Sequence, residues 1–264
     1  MKIAALQMQS VPGDPEANLE RIEQAAREAA MQEADLLVTP ELAITGYGAG
    51  EIIRDLAEPA RGDLSTRLAS LSLETGIALV VGFAERAGAT IYNSALYIDG
   101  PKARAVYRKS HLYGPYERDL FAPEKPRACI VDHRGMKLGM LICYDVEFPE
   151  NVRRLAQAGA QVVIVPTALP ASDHAAFIAR KLIPVRAFEN QLFVAYVNHC
   201  GADASFAYAG LSGIAAPDGE MLAQAPEAGE ALLVAEIRPD GYAARPDGYA
   251  ASAAANSYLA DLRT

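Results

Sequence analysis

The chain has 264 residues, 51% of them apolar, and carries 24 Lys and Arg against 33 Asp and Glu for a net charge of −9. That length suits one large α/β domain or two small ones, with enough apolar material for a substantial core. The acidic balance argues against a nucleic-acid partner, because the basic pairs (Arg108-Lys109, Arg153-Arg154, Arg180-Lys181) are scattered and phosphate neutralisation needs clustered cations.

Ile3–Met8 reads as a first strand, and Asp14-Pro15 supplies an N-cap followed by Pro at the first helical position. Leu19, Ile22, Ala26 and Ala29 recur at helical spacing through Gln32, and Asp35–Val38 is a short buried strand that stops at Pro40. A helix over roughly Asp63–Glu74 leads to a strand at Ile77–Phe83. Three apolar runs without helical periodicity follow (Ile91–Ile98, Ala103–Tyr107, Cys129–Val131), then Lys137–Ile142 after a turn at His133-Arg134-Gly135. A helix begins near Pro149, and Gln161–Val165 is another buried strand. Ser172 or Asp173 is expected to cap a helix running to Asn190, kinked or restarted at Pro184. Phe193–Val197, Tyr208–Ala215 and Ala231–Ile237 complete the strands.

From about residue 238 the chain is rich in Ala, Gly, Pro and Asp, with an echo of Pro239-Asp240-Gly241-Tyr242 in Pro246-Asp247-Gly248-Tyr249. It reads as an extended C-terminal arm or surface loop. Mixed strand patterns with flanking helices predict two sheets packed face to face, in a single domain over residues 1–264. No signal peptide or membrane-length apolar run is visible. Cys129, Cys143 and Cys200 are an odd number at wide spacing, which fits a reducing cytoplasm. His111, His133, His174 and His199 show no metal-ligand spacing, so no metal is expected.

Three positions carry chemistry. Taken alone Cys143 reads first as an inert core thiol, but it ends an apolar run and precedes a helix start, where helix amides can stabilise a thiolate, and that position shifts the balance. Cys129 and Cys200 lack that setting and read as structural. A nucleophilic thiol needs a base, either an imidazole (His111 or His199) or a carboxylate. Glu41 projects from the end of a buried strand, where partial burial raises a carboxylate pKa toward neutrality. Lys109 ends another strand and offers a fixed positive charge for a developing oxyanion, although strand-end lysines are usually solvated.

Pro40-Glu41-Leu42-Ala43-Ile44-Thr45-Gly46-Tyr47, Tyr107-Arg108-Lys109-Ser110-His111-Leu112 and Ile142-Cys143-Tyr144-Asp145-Val146-Glu147-Phe148-Pro149-Glu150 together resemble the nitrilase (carbon–nitrogen hydrolase) superfamily. Val185-Arg186-Ala187-Phe188-Glu189-Asn190 resembles its later helical block, so the likeness spans nearly the whole chain. The resemblance implies a four-layer α-β-β-α sandwich, assembly as a homodimer or higher homo-oligomer, and cofactor-free hydrolysis of a small-molecule amide. It assigns Glu41 as general base and acid, Lys109 as stabiliser of the tetrahedral intermediate and Cys143 as nucleophile. The Tyr144 N–H completes the oxyanion hole, and Glu117 matches a second glutamate found beside the triad in many amidases of the family.

Family nitrilases resemble Cys-Trp-Glu at the nucleophile and ω-amidases Cys-Tyr-Asp-x-Arg, whereas Glu147 stands here at the basic position. Glu147 therefore has two readings. It attracts an amine-bearing amide, as in the branch similar to 5-aminopentanamidase and the R-stereoselective amidases, or it is merely a favourable charge at a helix N-terminus. Other candidate products of the same chemistry are N-carbamoyl amine hydrolysis and ω-amide hydrolysis; a different class is a non-catalytic interaction protein retaining the fold. Tyr47, Tyr116, Thr167 and Ala168 follow expected strand ends and are candidate substrate-binding residues. Asp145, Arg186 and Glu189 read as structural groups that hold the nucleophile's loop and the neighbouring helix.

Overall fold

The computed structural model describes residues 1–101 and 103–242. Its first strand, β1 (Lys2–Gln7), sends Ile3 and Ala5 into one apolar cluster and Ala4 and Leu6 into another. A strand buried on both faces must lie between two layers. Helix α1 (Pro15–Met31) follows, with Asp14 Oδ1 accepting from the Ala17 N–H at 3.0 Å and Pro15 in the first turn. Next come β2 (Leu36–Val38), α2 (Ile52–Leu56), α3 (Asp63–Thr75), β3 (Ala78–Ala87), β4 (Thr90–Asp99), β5 (Ala103–Arg108) and α4 (Gly114–Leu120). The second half begins with β6 (Ile130–His133), β7 (Met136–Met140), a 3-10 turn (Cys143–Glu147), α5 (Pro149–Gln157) and β8 (Val162–Thr167). It continues through α6 (Ala175–Phe177), a π-helical turn (Ile178–Leu182), α7 (Ile183–Asn190), β9 (Phe193–Asn198), β10 (Gly213–Ala215), β11 (Met221–Gln224) and β12 (Ala231–Glu236).

Among the described residues these strands form two six-stranded mixed sheets, β12-β1-β2-β3-β4-β5 and β11-β10-β9-β8-β7-β6. The β1–β2–β3 and β7–β8–β9 pairings are parallel and the others antiparallel. Ile3, Val38, Val80 and Tyr97 from the first sheet meet Met140, Ile164 and Ala195 of the second in one buried core. The outer face of the first sheet packs on Leu19, Ile22 and Ala26 of α1 and on Leu64 and Leu68 of α3. Val152 and Leu155 of α5 and Ile183 and Ala187 of α7 cover the other side. The result is a four-layer α-β-β-α sandwich, as the sequence predicts. No helix among the described residues is long and apolar enough to cross a membrane.

Several expectations need correction. The helix before Asn190 starts at Ala175 rather than being capped by Ser172 or Asp173, and His174 holds the cap position without a side-chain hydrogen bond. Pro184 does mark the fresh start expected of it, lying in the first turn of α7. The π-helical turn at Ile178–Leu182 lies directly before it, and the wider turn accommodates a residue that has no N–H and crowds the preceding turn. The expected strand Tyr208–Ala215 is ordered as a ladder only at Gly213–Ala215, and Tyr208 makes an isolated bridge to Pro170. Sequence reading also missed α2, α4 and β11, which are short and have weak apolar periodicity. The C-terminal arm enters a 3-10 turn at Pro239–Tyr242; its remainder, from residue 243, lies outside the described residues.

Candidate active site

Glu41 leaves the end of β2 in a segment held on both sides. Thr39 N–H donates to Val80 O at 2.9 Å, Glu41 N–H to Thr167 O at 3.3 Å, and Ile44 N–H to Gly82 O at 3.3 Å. The third bond requires close approach to β3. A Cβ on Gly82 would lie 2.2 Å from Pro40 O and 2.8 Å from the Glu41 Cα, so only glycine fits there. Lys109 follows β5, its N–H donating to Asn93 O at 2.8 Å. Cys143 follows β7 and opens the 3-10 turn with φ +45, a left-handed conformation uncommon for a residue with a side chain. The ends of parallel strands β2, β7 and β8 thus meet at one edge of the sandwich, the end at which open α/β sheets build their sites.

The fold brings four predicted catalytic residues into one buried cluster. Lys109 Nζ donates to Glu41 Oε1 and to Glu117 Oε1, each at 2.6 Å, and all three side chains are shut off from solvent. Glu41 Oε1 also accepts from Asn93 Nδ2 at 2.6 Å, whereas Glu41 Oε2 is buried without a hydrogen-bond partner among the described residues. Glu117 Oε1 takes a further bond from the Tyr47 hydroxyl at 2.8 Å, and its Oε2 takes one from the Tyr113 N–H at 2.9 Å.

Burial pushes the Glu41 carboxyl up to about 7; Lys109 pulls it down, Glu117 pushes it further up, and the Lys109 and Asn93 hydrogen bonds pull it down. Burial by itself would lower Lys109, but Glu117 and Glu41 hold its ammonium well above the usual lysine range. Burial, reinforced by Glu41, raises the Cys143 thiol well above its ordinary value, against the opposing influence of Lys109 and of a backbone hydrogen bond from Ala168. That direction favours the thiol form, so a base must take the Cys143 proton as the sulfur attacks, in line with the base role expected of Glu41.

Tyr47, Tyr144, Glu147 and Ala168 line a cavity of about 490 Å³ together with Cys143 and Glu117. Tyr116 lines a smaller adjoining recess, and its hydroxyl donates to Tyr47 O at 2.5 Å. Thr167 is fully buried and absent from the lining of both; its hydroxyl donates to Val165 O at 3.0 Å while its carbonyl anchors the Glu41 backbone. A period-two strand explains this, since Thr167 at the end of β8 points to the opposite side from Ala168. Glu147 is half-buried and its carboxylate makes no hydrogen bond or ion pair among the described residues; burial raises its pKa, with Lys109 and Arg186 opposing.

Both histidines considered as bases are engaged elsewhere. His111 Nδ1 lies 2.8 Å from Asp145 Oδ1 and its ring stacks on Phe148 at 4.0 Å. His199 donates from Nε2 to Glu41 O at 2.6 Å, and burial lowers its pKa to about 4, so it is neutral and braces the Glu41 backbone. Asp145 accepts from the Tyr107 hydroxyl at 2.9 Å and from the His111 N–H at 2.9 Å. Arg186 donates to Val146 O at 2.9 Å and Glu147 O at 2.7 Å and pairs with Glu189 at 2.9 Å. Those three residues hold the turn that carries Cys143, as expected. Sequence reasoning missed Asn93 and Gly82. A glycine inside a β-strand pattern signals close backbone approach and could have exposed Gly82; Asn93 has no local signature.

The carbon-nitrogen hydrolase family profile matches residues 2–246. A Pseudomonas protegens protein described as the hydrolase in the pqqF 5′ region is 41% identical, over 100% of this chain and 89% of its own length. An (R)-stereoselective amidase of a Pseudomonas species is 39% identical, over 85% of this chain and 81% of its own. The NitN amidase of Nesterenkonia sp. AN1 superposes with a TM-score of 0.83 at 37% identity, covering 90% of this chain and 93% of that one. In a mutant of that amidase, acrylamide has added to the active-site cysteine.

Proposed function

This chain belongs to the carbon–nitrogen hydrolase family and is an amidase of the nitrilase superfamily, and from that premise we propose that it hydrolyses a small primary carboxamide to a carboxylate and ammonia through a thioester on Cys143. The observation that carries this reading is the buried Lys109 ammonium, held at 2.6 Å from both Glu41 and Glu117 in electrostatic reach of the Cys143 thiol.

Burial favours the thiol form of Cys143, so attack requires a base. Glu41 takes the thiol proton as the sulfur bonds to the amide carbonyl carbon. Its unpartnered Oε2 and near-neutral pKa suit it to accept and return a proton. Lys109 and the Tyr144 N–H hold the resulting oxyanion. The oxyanion collapses, the carbon–nitrogen bond breaks, and Glu41 delivers its proton to the departing ammonia. Water, deprotonated by Glu41, then attacks the thioester and releases the carboxylate and the Cys143 thiol. Glu117 keeps Lys109 in place and charged throughout.

The unpaired, half-buried carboxylate of Glu147 on the cavity wall supports an amine-bearing amide as substrate. The ω-amidase alternative, with its anionic substrate, meets the wrong charge there. Ammonia release from small amides, ω-amino amides, ω-amido acids, N-carbamoyl compounds and nitriles, compared between wild type and Cys143→Ala, tests the reaction. The proposal predicts release from one amide class, lost in the variant; release that survives in the variant would exclude Cys143 as nucleophile. Glu147→Gln is expected to weaken ω-amino amides at least tenfold relative to neutral ones, and an unchanged ratio would remove the charge argument. The same reading places the protein in the cytoplasm as a homo-oligomer, in keeping with three unpaired cysteines and with exposed Phe177 and Val185 on the helical side.

A further inference from the structure

The cavity over Cys143 opens into a side recess, and we propose that this recess selects an apolar substituent on the acyl half of the substrate, with Phe206 setting its depth. The inference rests on the amidase reading above. The recess encloses about 170 Å³ and shares Tyr47, Tyr113, Ala168 and Pro170 with the larger cavity, so an occupant of one can extend into the other. Gly114, Pro115 and the rings of Tyr116, Phe206 and Tyr208 form its remaining wall. Phe206 stands edge-on to Tyr47 at 5.2 Å and to Tyr116 at 5.0 Å, with Tyr208 closing the far side at 6.4 Å.

The polar ends of these rings are already taken. The Tyr47 hydroxyl donates to Glu117, that of Tyr116 to Tyr47 O, and that of Tyr208 to Asp203 Oδ2 at 2.6 Å. The Tyr113 hydroxyl is the one tyrosine end on this lining left without such a bond among the described residues, on an exposed side chain; the rest offered to an occupant is chiefly carbon, which favours an apolar group over a hydrogen-bonding one. At roughly 30 Å³ for a water-sized group the recess takes about five or six carbons. A primary amide loses its nitrogen as ammonia, so any group filling the recess belongs to the acyl half. Glu147 lies in the larger cavity and is absent from the recess lining, so the charged and apolar arms of a substrate have separate places.

Phe206 is held over the recess by Asp203, a positioning residue. Asp203 Oδ1 accepts from the Ser205 and Phe206 N–H groups at 2.7 and 2.8 Å, and the Asp203 N–H donates to Phe206 O at 2.8 Å. The carboxylate packs on Gly48, where a Cβ would come within 2.2 Å of Oδ2. A glycine there lets this loop close on the Tyr47 segment.

Straight-chain aldehydes of about two to eight carbons read the recess without turnover. The Cys143 sulfur bonds to the carbonyl carbon and the thiol proton passes to the oxygen, reversibly, which protects the thiol from iodoacetamide. Protection would be followed by intact mass and peptide mapping in wild type, Phe206→Ala and Phe206→Leu. In wild type, protection should tighten about fourfold per methylene until the recess is full and then weaken. The chain length of tightest protection should lengthen by about two carbons in Phe206→Ala, with Phe206→Leu between, and Phe206→Leu alone carries the comparison if the alanine variant does not fold. An optimum that stays at the same length would overturn the proposal. Failure of the amidase reading is distinguishable: a shifted aldehyde optimum without ammonia release from any amide would leave the recess and remove the reaction.

Discussion

One ammonium serves two carboxylates around Cys143, and all are buried, so the cluster cannot hold every group charged without cost. Glu41 yields: its carboxyl is raised to about 7 because burial disfavours the ionised form. On the proposed mechanism the ionised form is the active base, so kcat/KM should rise with pH through about 7 and fall below it as Glu41 takes up a proton. An acid limb with its midpoint at an ordinary carboxylate pKa would contradict this. The Asn93 hydrogen bond lowers the Glu41 pKa, so Asn93→Ala should move that limb upward by about one pH unit, the loss of one charge-assisted hydrogen bond. Glu41→Gln keeps the shape but not the proton acceptor and should lower kcat by about 10²–10⁴; the measurement is ammonia release at pH 8, with unchanged far-UV circular dichroism as the folding control.

At the scale of elements, strand ends do the positioning, and their packing tolerances set the risks. Gly82 sits mid-strand in β3 directly beneath the Glu41 segment. Gly82→Ala must push Pro40 O and the Glu41 backbone outward, so it should cost about 1–3 kcal/mol in a denaturation experiment and depress activity as well. A variant as stable and active as wild type would show that the Glu41 segment yields freely. The legibility of each element tracked its length and regularity. The α1 start was readable because Asp14 and Pro15 act locally, and β1, β8 and β9 because they are continuous apolar runs. The π-helical turn before Pro184 was legible only in part, because a proline announces a break in the helix but not that a wider turn will supply it.

For the whole molecule, two mixed sheets bury their inner faces against each other and helices close the outer faces, yet Phe177, at the cavity wall, and Val185 stay exposed on the helical side. The proposed homo-oligomer covers such a surface. Light scattering of the purified protein should give the mass of two or more chains, and replacing both residues by Lys should shift it toward one. A monomer in wild type would remove that part of the proposal. Truncation after residue 242 in the same experiment tests whether the C-terminal arm takes part.

The order of strands and helices and the three segments around Glu41, Lys109 and Cys143 were determined by the sequence itself, because strand runs, caps and motifs are written in neighbouring residues. Tertiary structure decided the rest. It paired Lys109 with Glu41 and Glu117, placed Asn93 on Glu41, turned Thr167 away from the cavity, left Glu147 unpaired and laid Phe206 over the recess. It also buried Cys143, which pushes the thiol's pKa up. A proton's affinity depends on burial and on charges brought close through space, and residues 68 positions apart along the chain become neighbours only when the sheets close.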